Sequence, residues 1–316
     1  MTTFGDQLYQ LGGVPVGSAV GAVGLAGGKV FFVDVANGTA GGSGKTPADA
    51  NNSIATAFGY CTSGNNDCVV VIGSGSAWSP TATLAWAKSY THLIGAAVPL
   101  PGMGNRCRIE ATGASDITPV ITVSGSGCLF SNLKIDNLHA SANDSGSVLV
   151  SGSRNMFVDC EIWGMGSATA GLRAGSWSVS ITGEENHFLR TTIGCDTVVR
   201  AAANSELIVA NARNSFKDCT FRSNCVTAGK FMVNINNASV DLRSIIFDDC
   251  LFYNYAVNQS ASLTDAFTIA GARTHDVILK GNNVLVGIDG WANNAATVEA
   301  AGPAPNAGYG VALKLT

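Results

Sequence analysis

Apolar positions along the chain come in short alternating runs, and the runs recur. Four segments align: "RNMFVDCEIWG" (154–164), "ENHFLRTTIGC" (185–195), "RNSFKDCTFRS" (213–223) and "SIIFDDCLFYN" (244–254). Their anchor aromatics Phe157, Phe188, Phe216 and Phe247 are 31, 28 and 31 residues apart. "CLFSNLKIDN" (128–137) reads as an earlier copy through Phe130, and "DVILKGNNVLV" (276–286) as a later one through Ile278. Between the copies lies a second set of short runs: "SVLVSG", "SVSITG", "ELIVAN", "FMVNIN" and "AFTIAG". Each is rich in β-branched residues or ends in Gly or Asn, which is strand and turn chemistry. Every period of about thirty residues therefore holds at least two strands and almost no helical pattern.

That period excludes most repeat folds. No L-x-x-L-x-L pattern marks a leucine-rich repeat, no 3.6-residue pattern marks a helical one, and a propeller blade needs about forty residues. What remains is a parallel β-helix, in which one repeat is one coil and each coil packs on the next. The grammar F-x-D-C-x-[IF] then predicts the aromatic inward and a turn at the Asx position, because Asp and Asn tolerate left-handed backbone. In the strand that follows, Cys160 points inward, Glu161 outward and Ile162 inward. Stacking equivalent positions gives an inward column Leu133, Cys160, Thr191, Cys219, Cys250 and a turn column Asn132, Asp159, Arg190, Asp218, Asp249. Arg190 should pair with its acidic neighbours as a ladder.

Composition sharpens this picture. Only 13% of the 316 residues are charged and 38 are Gly, so Ser, Thr, Asn and Gly must cover much of the surface. A net charge of −4 without a basic run gives nucleic-acid binding no electrostatic support. The nine cysteines form no C-x-x-C pair and the four histidines are scattered, so we expect buried thiols and neither metal site nor cofactor. A bridge between stacked cysteines is the alternative to a reduced column. The run "NGTAGGSGKTPADA" (37–50) ends in Gly-Lys-Thr, yet a phosphate loop needs Gly at position 39, which is Thr39. Pro47 also pushes Thr46 toward extended backbone. "MTTFGDQLYQ" does not run from basic to apolar residues, so no secretory leader is expected, and "VPVGSAVGAVGLAGG" is too short and glycine-rich to span a membrane.

"VFFVDVANGTAGGSGKTPADANNSIATAFGYC…DCVVVIGSGSAW" resembles the start of many right-handed parallel β-helix proteins of the pectin lyase-like superfamily. The resemblance covers roughly residues 29 to 290 and implies an all-β, single-stranded right-handed parallel β-helix. It places a short capping helix at about Ala48–Tyr60 and a coil strand in "KSYTHLIGAA" (88–97). It also divides the chain into an extended arm (1–28), the β-helix (29–290) and a capping or oligomerising tail (291–316). The superfamily holds polysaccharide lyases, glycosidases, bacteriophage tailspikes and non-catalytic spike-like phage proteins, so fold alone does not choose among functions.

Two readings follow. "FGDQLYQLGGVPVG" resembles the N-termini of phage head and head-associated proteins. That implies a homotrimeric capsid-decoration protein, assembled in the host cytoplasm and held to the major capsid protein through Phe4, Leu8, Tyr9, Leu11 and Val14, without catalysis, nucleic acid or membrane. The alternative is a tailspike-type enzyme or binder of host surface glycan. Its best carboxylate pair is Asp218 and Asp249, in one column on neighbouring coils, with Glu161 and Glu184 as further candidates. Trp163, Trp177, Tyr253 and Tyr255 would be its sugar platforms. Apart from that column, no carboxylate cluster is expected to recur on a face, which favours the structural reading.

Overall fold

The computed structural model describes residues 10–11, 14–15, 28–98, 107–112, 116–140, 143–236, 244–256, 263–270, 277–293 and 298–301. Each complete repeat contributes one strand to each of three parallel sheets, which have ten, seven and eight strands because the first coils lack some of the three. Sheet one runs from Val30–Val33 to Val298–Ala301 and contains the repeat phenylalanines. Sheet two runs from Arg108–Ala111 to Val284–Val286, and sheet three from Leu84–Trp86 to Ile288–Ala292. The stack is a right-handed parallel β-helix, the hand that parallel crossovers take.

Phe130, Phe157, Phe188, Phe216 and Phe247 are in register and fully buried. Their rings stack at centroid distances of 4.7, 4.6, 5.1 and 4.9 Å. The later copy is shifted by one place: Leu279, not Ile278, pairs with Phe247 and enters the core. A one-residue slip exchanges the two faces of a strand, so Ile278 lies on the outer side.

Sheet one turns into sheet two at a single corner residue. Asn132, Asp159, Arg190, Asp218 and Asp249 all have φ between 46° and 55° there. The left-handed corner is what Asn and Asp tolerate, and Arg190 adopts it because its neighbours impose it. Arg190 donates from Nε and Nη2 to the two Asp159 carboxylate oxygens at 2.7 and 2.9 Å, the expected ladder pair.

The inward column after the corner holds small donors for a reason. Cys160, Cys219 and Cys250 point their thiols at the backbone carbonyls of Phe130, Phe188 and Phe216 on the preceding coil, at 3.6, 3.4 and 3.4 Å. Thr191 does the same with its hydroxyl to Phe157 at 3.4 Å. All nine cysteines are buried thiols outside any disulfide.

A second buried ladder precedes the phenylalanines. Asn155, Asn186 and Asn214 accept from the backbone N–H of Cys128, Asn155 and Asn186, and donate to the carbonyls of Gly125, Gly152 and Gly183. Each side-chain amide thus satisfies backbone groups at the corner between sheets three and one, which would otherwise be buried without partners.

The cap is shorter than expected. Pro47–Asp49 form one 3-10 turn, and the helix proper is Ile54–Tyr60, with Ser53 as its N-cap. Between them Asn51 bonds both ways with the first strand, its N–H to the Phe32 carbonyl and its carbonyl to the Asp34 N–H. That pairing breaks the helix that Ala48–Tyr60 would make. Lys88 fastens the far end, donating to the carbonyls of Phe58, Gly59 and Cys61 at 2.9, 2.8 and 2.6 Å. The Gly-Lys-Thr run is no phosphate cradle: the Asp49 carboxylate closes the loop by accepting from the Ser43 N–H and hydroxyl.

At the other end the stack continues past residue 290 through Val298–Ala301, paired with Val277–Lys280. Gln10–Leu11 and Val14–Pro15 form a two-stranded antiparallel sheet of their own, in which Leu11 pairs with Val14. Phe4, Leu8 and Tyr9 lie outside the described residues, as do residues 302–316.

Candidate functional site

The outer side of sheet two concentrates charge. Strand alternation sends Ile109, Ile135 and Ile162 into the core and places their neighbours outside: Arg108 and Glu110, Lys134 and Asp136, Glu161 and Trp163. These three strands are adjacent and in register, so the six side chains form one patch. Lys134 Nζ lies 3.0 Å from Asp136 Oδ2 and 3.8 Å from the centre of the Trp163 ring, a combined ion pair and cation–π contact. One rung below, Arg108 Nη1 meets Glu110 Oε1 at 3.0 Å while Nη2 donates to the Gly75 carbonyl at 2.7 Å.

The patch is more enclosed than its position suggests. Asp136 and Glu161 are each only 1% exposed, and Lys134 is buried with them. The Asp136 carboxylate has the Lys134 ion pair but no hydrogen bond of good geometry, and the Trp163 Nε1 is likewise buried without an acceptor. Burial pushes the Asp136 carboxyl up to about 7; Lys134 opposes the rise, and Glu161 and Glu110 add to it. A carboxyl poised near neutrality among other carboxylates can exchange a proton at ordinary pH.

This patch meets one expectation and corrects another. Glu161 lies on the outer side, as alternation requires, but is not exposed. A carboxylate cluster does recur on a face, through Glu110, Asp136 and Glu161. The sequence carried its signal in "RIEA", "KIDN" and "EIWG", where charged residues flank the inward Ile of two successive second strands and Glu161 and Trp163 flank it in the third, a pattern lost in the later coils.

The carboxylates favoured from the sequence are placed differently. Asp218 and Asp249 sit exposed on left-handed corners of neighbouring coils. The Asp249 Oδ1 accepts from the Asn282 N–H at 2.7 Å, a corner-capping role. Beside them Asp248 takes an ion pair from Lys280 at 2.9 Å. Glu184 flanks the preceding corner, where Glu185 is held by Arg154 and Arg213 at 2.6 and 2.7 Å. Of the aromatics, Trp163 belongs to the charged patch, Tyr253 lies higher on the same face, and Tyr255 is 52% exposed. Trp177 packs its ring against Gly146 on sheet three.

A second buried ionic group lies where sheet two passes to sheet three. Ser178 donates to Glu206 Oε2 at 2.6 Å, Arg200 Nη1 stands 3.8 Å from Glu206 Oε1, and Arg200 Nη2 donates to the Phe231 carbonyl. Burial raises the Glu206 carboxyl to about 7 against the opposing pull of Arg200. Arg200 and Glu206 are each 2% exposed, so the group braces the corner from within.

Among the described residues no group of His, Cys, Asp or Glu has the arrangement of a metal site, and no helix is long and apolar enough to cross a membrane.

No family model matches the chain, and no curated protein does. Solved structures similar to it include pectin methylesterase PemA from Erwinia chrysanthemi, 15% identical over 83% of this chain and 80% of that one, with a TM-score of 0.48. Pectate lyase Pel9A is 11% identical over 88% and 80%, with a TM-score of 0.47. The pectin methylesterase from Aspergillus niger is 12% identical over 88% and 91%, with a TM-score of 0.44. At these values the likeness concerns the path of the chain and carries nothing about chemistry. What the three parallel sheets establish by themselves is the fold, a right-handed parallel β-helix.

Proposed function

We propose that this chain is a structural protein of a bacteriophage virion. In this reading it is a trimer on the capsid surface, assembled in the host cytoplasm and attached to the major capsid protein through residues 1–28. The observation that carries the reading is the sparsely charged, glycine-rich stretch that precedes the first coil strand at Val30. Among the described residues Gln10–Leu11 and Val14–Pro15 pair with each other. In this reading the stretch lies on a partner, with Phe4, Leu8, Tyr9, Leu11 and Val14 as its apolar anchors. The solenoid suits a projecting particle component, because stacked aromatics, asparagines and thiols make it stiff along its axis. Deleting residues 1–28 is expected to leave a folded protein that no longer co-sediments with capsids. Full occupancy by the truncated protein would overturn the reading.

Recognition or cleavage of a host surface glycan is the second reading, favoured by the patch of Glu110, Lys134, Asp136, Glu161 and Trp163. Sugar release from host glycan by the intact protein, abolished by Asp136→Asn with Glu161→Gln, would establish it. Loss through Asp218→Asn with Asp249→Asn instead would move the site to the corners.

A further inference from the structure

The three outer faces differ in charge. Sheet two carries the ionic patch just described. Sheet one carries His187, Lys217, Asp248 and Lys280 on its outer side. Sheet three carries, in one row of paired positions, Ala85, Thr122, Leu149, Ser180, Ile208, Asn234 and Thr268. These residues alternate with the inward residues of the core, among them Trp86, Val123, Val150, Ile181, Val209, Ile235 and Ile269. The row two places on, at the corner leading to sheet one, is Ser124, Ser151, Thr182, Ala210, Asn236 and Ala270. Neither row holds an ionisable residue. Glu206 is buried at the opposite margin with Ser178, Glu184 stands past the corner two residues beyond Thr182, and the Asp265–Asp289 pair lies at the end of the stack. Over seven rungs the uncharged strip is about 29 Å tall.

We propose that this strip is where copies of the chain pack side by side, parallel and level with one another, around a three-fold axis. The inference rests on the trimeric reading above and names its surface. Two physical arguments select a second copy as the occupant. In a closed symmetric assembly each residue near the axis meets its own equivalents, so a charge there would repel itself. The sheet-three rows are free of that cost, while sheet one would incur it at Lys217 and sheet two at Arg108. The strip also repeats once per rung, and only a partner with the same repeat in the same direction can match it rung for rung. Leu149 and Ile208 supply apolar contacts, and Thr122, Ser180, Asn234 and Thr268 can hydrogen-bond to their counterparts.

The full chain and its Ile208→Asp variant are compared by native mass spectrometry and light scattering, with Thr220→Lys on sheet two as control. The wild type is expected at three times the chain mass of 32.3 kDa. Ile208→Asp should be monomeric at concentrations where the wild type and Thr220→Lys stay trimeric, with unchanged far-ultraviolet circular dichroism. If Ile208→Asp fails to fold, Ser180→Cys decides. Oxidation should join its copies covalently, the native thiols being buried, whereas Thr220→Cys should remain unjoined. A wild-type monomer overturns both the interface and the trimeric reading. A trimer that withstands Ile208→Asp, or gives no Ser180→Cys cross-link, overturns the interface alone. Loss of capsid binding on deleting residues 1–28 tests attachment independently of both.

Discussion

Replacing Asp136 with Asn should make the protein more stable at pH 8 and change it by only about 1 kcal/mol at pH 4.5. Burial holds the Asp136 carboxyl near 7, against 3.8 for the free group, so the folded state binds its proton more tightly than the unfolded state does. A raised carboxyl favours the folded form only while protonated. Stability is therefore fully present below about pH 4, falls as pH rises toward 7, and stays low above it. Three pH units correspond to about 4 kcal/mol at 1.36 kcal/mol each, and we expect about 2–4 kcal/mol after local relaxation. Asn keeps the shape of the neutral acid and cannot ionise. Lys134 retains the Trp163 ring at 3.8 Å and Glu161 as its strand-paired neighbour. Glu206, also near 7, contributes a decline in the same window, so the single variant should keep part of the slope and Asp136→Asn with Glu206→Gln should lose most of it. Urea unfolding at pH 4.5, 6 and 8 reads the midpoint and slope for each protein. If Asp136→Asn loses stability between pH 4.5 and 8 as steeply as the wild type, the carboxyl is not held neutral by burial and the account of the patch is wrong.

Phe216→Ala should cost about 3–5 kcal/mol, since it removes a fully buried ring stacked at 5.1 and 4.9 Å on its neighbours; an unchanged urea midpoint would remove it from the core. Cys160, Cys219 and Cys250 should be almost unreactive toward a thiol reagent until the protein is unfolded, because all three are buried and burial raises the Cys160 thiol to about 12 and the Cys219 thiol well above its ordinary value; equal reactivity in both states would contradict the inward column. Asp218 has a φ of 52°, so Asp218→Gly should be tolerated while Asp218→Val lowers stability by about 1–3 kcal/mol; equal stabilities would mean the corner does not require left-handed backbone.

How much of this could be read from the sequence depends on what each residue answers to. Phe157, Phe188, Phe216 and Phe247 answer to the coil above and below, so their spacing alone revealed the stack. The corner residues answer to one backbone conformation, which is why Asp and Asn at a fixed offset predicted the left-handed turn. Even Arg190, which breaks the chemistry, keeps the geometry. The Asn155, Asn186, Asn214 ladder was equally legible, since Asn stands two places before Phe157, Phe188 and Phe216, but its meaning lies in backbone groups that only the closed corner brings within 3.1 Å. The later copy was misread by one place because both Ile278 and Leu279 are apolar, and an apolar pair gives no alternation to fix the register.

The outer patch was hidden for a different reason. Inward positions repeat because every coil sees the same interior, but outward positions need not repeat. Arg108, Lys134 and Glu161 occupy one row, as do Glu110, Asp136 and Trp163, and no two rungs carry the same pair. A search for similar residues in equivalent places therefore selects the corner aspartates, which repeat because the fold requires them. It passes over residues that share a face without sharing an identity. The uncharged rows of sheet three were missed in the same way, since Thr122, Leu149, Ser180, Ile208, Asn234 and Thr268 have in common only the absence of charge. In a solenoid, what repeats reports mainly on the stack. Evidence for function has to be sought in the outward rows, where neighbouring rungs are chemically complementary or where a face consistently leaves something out.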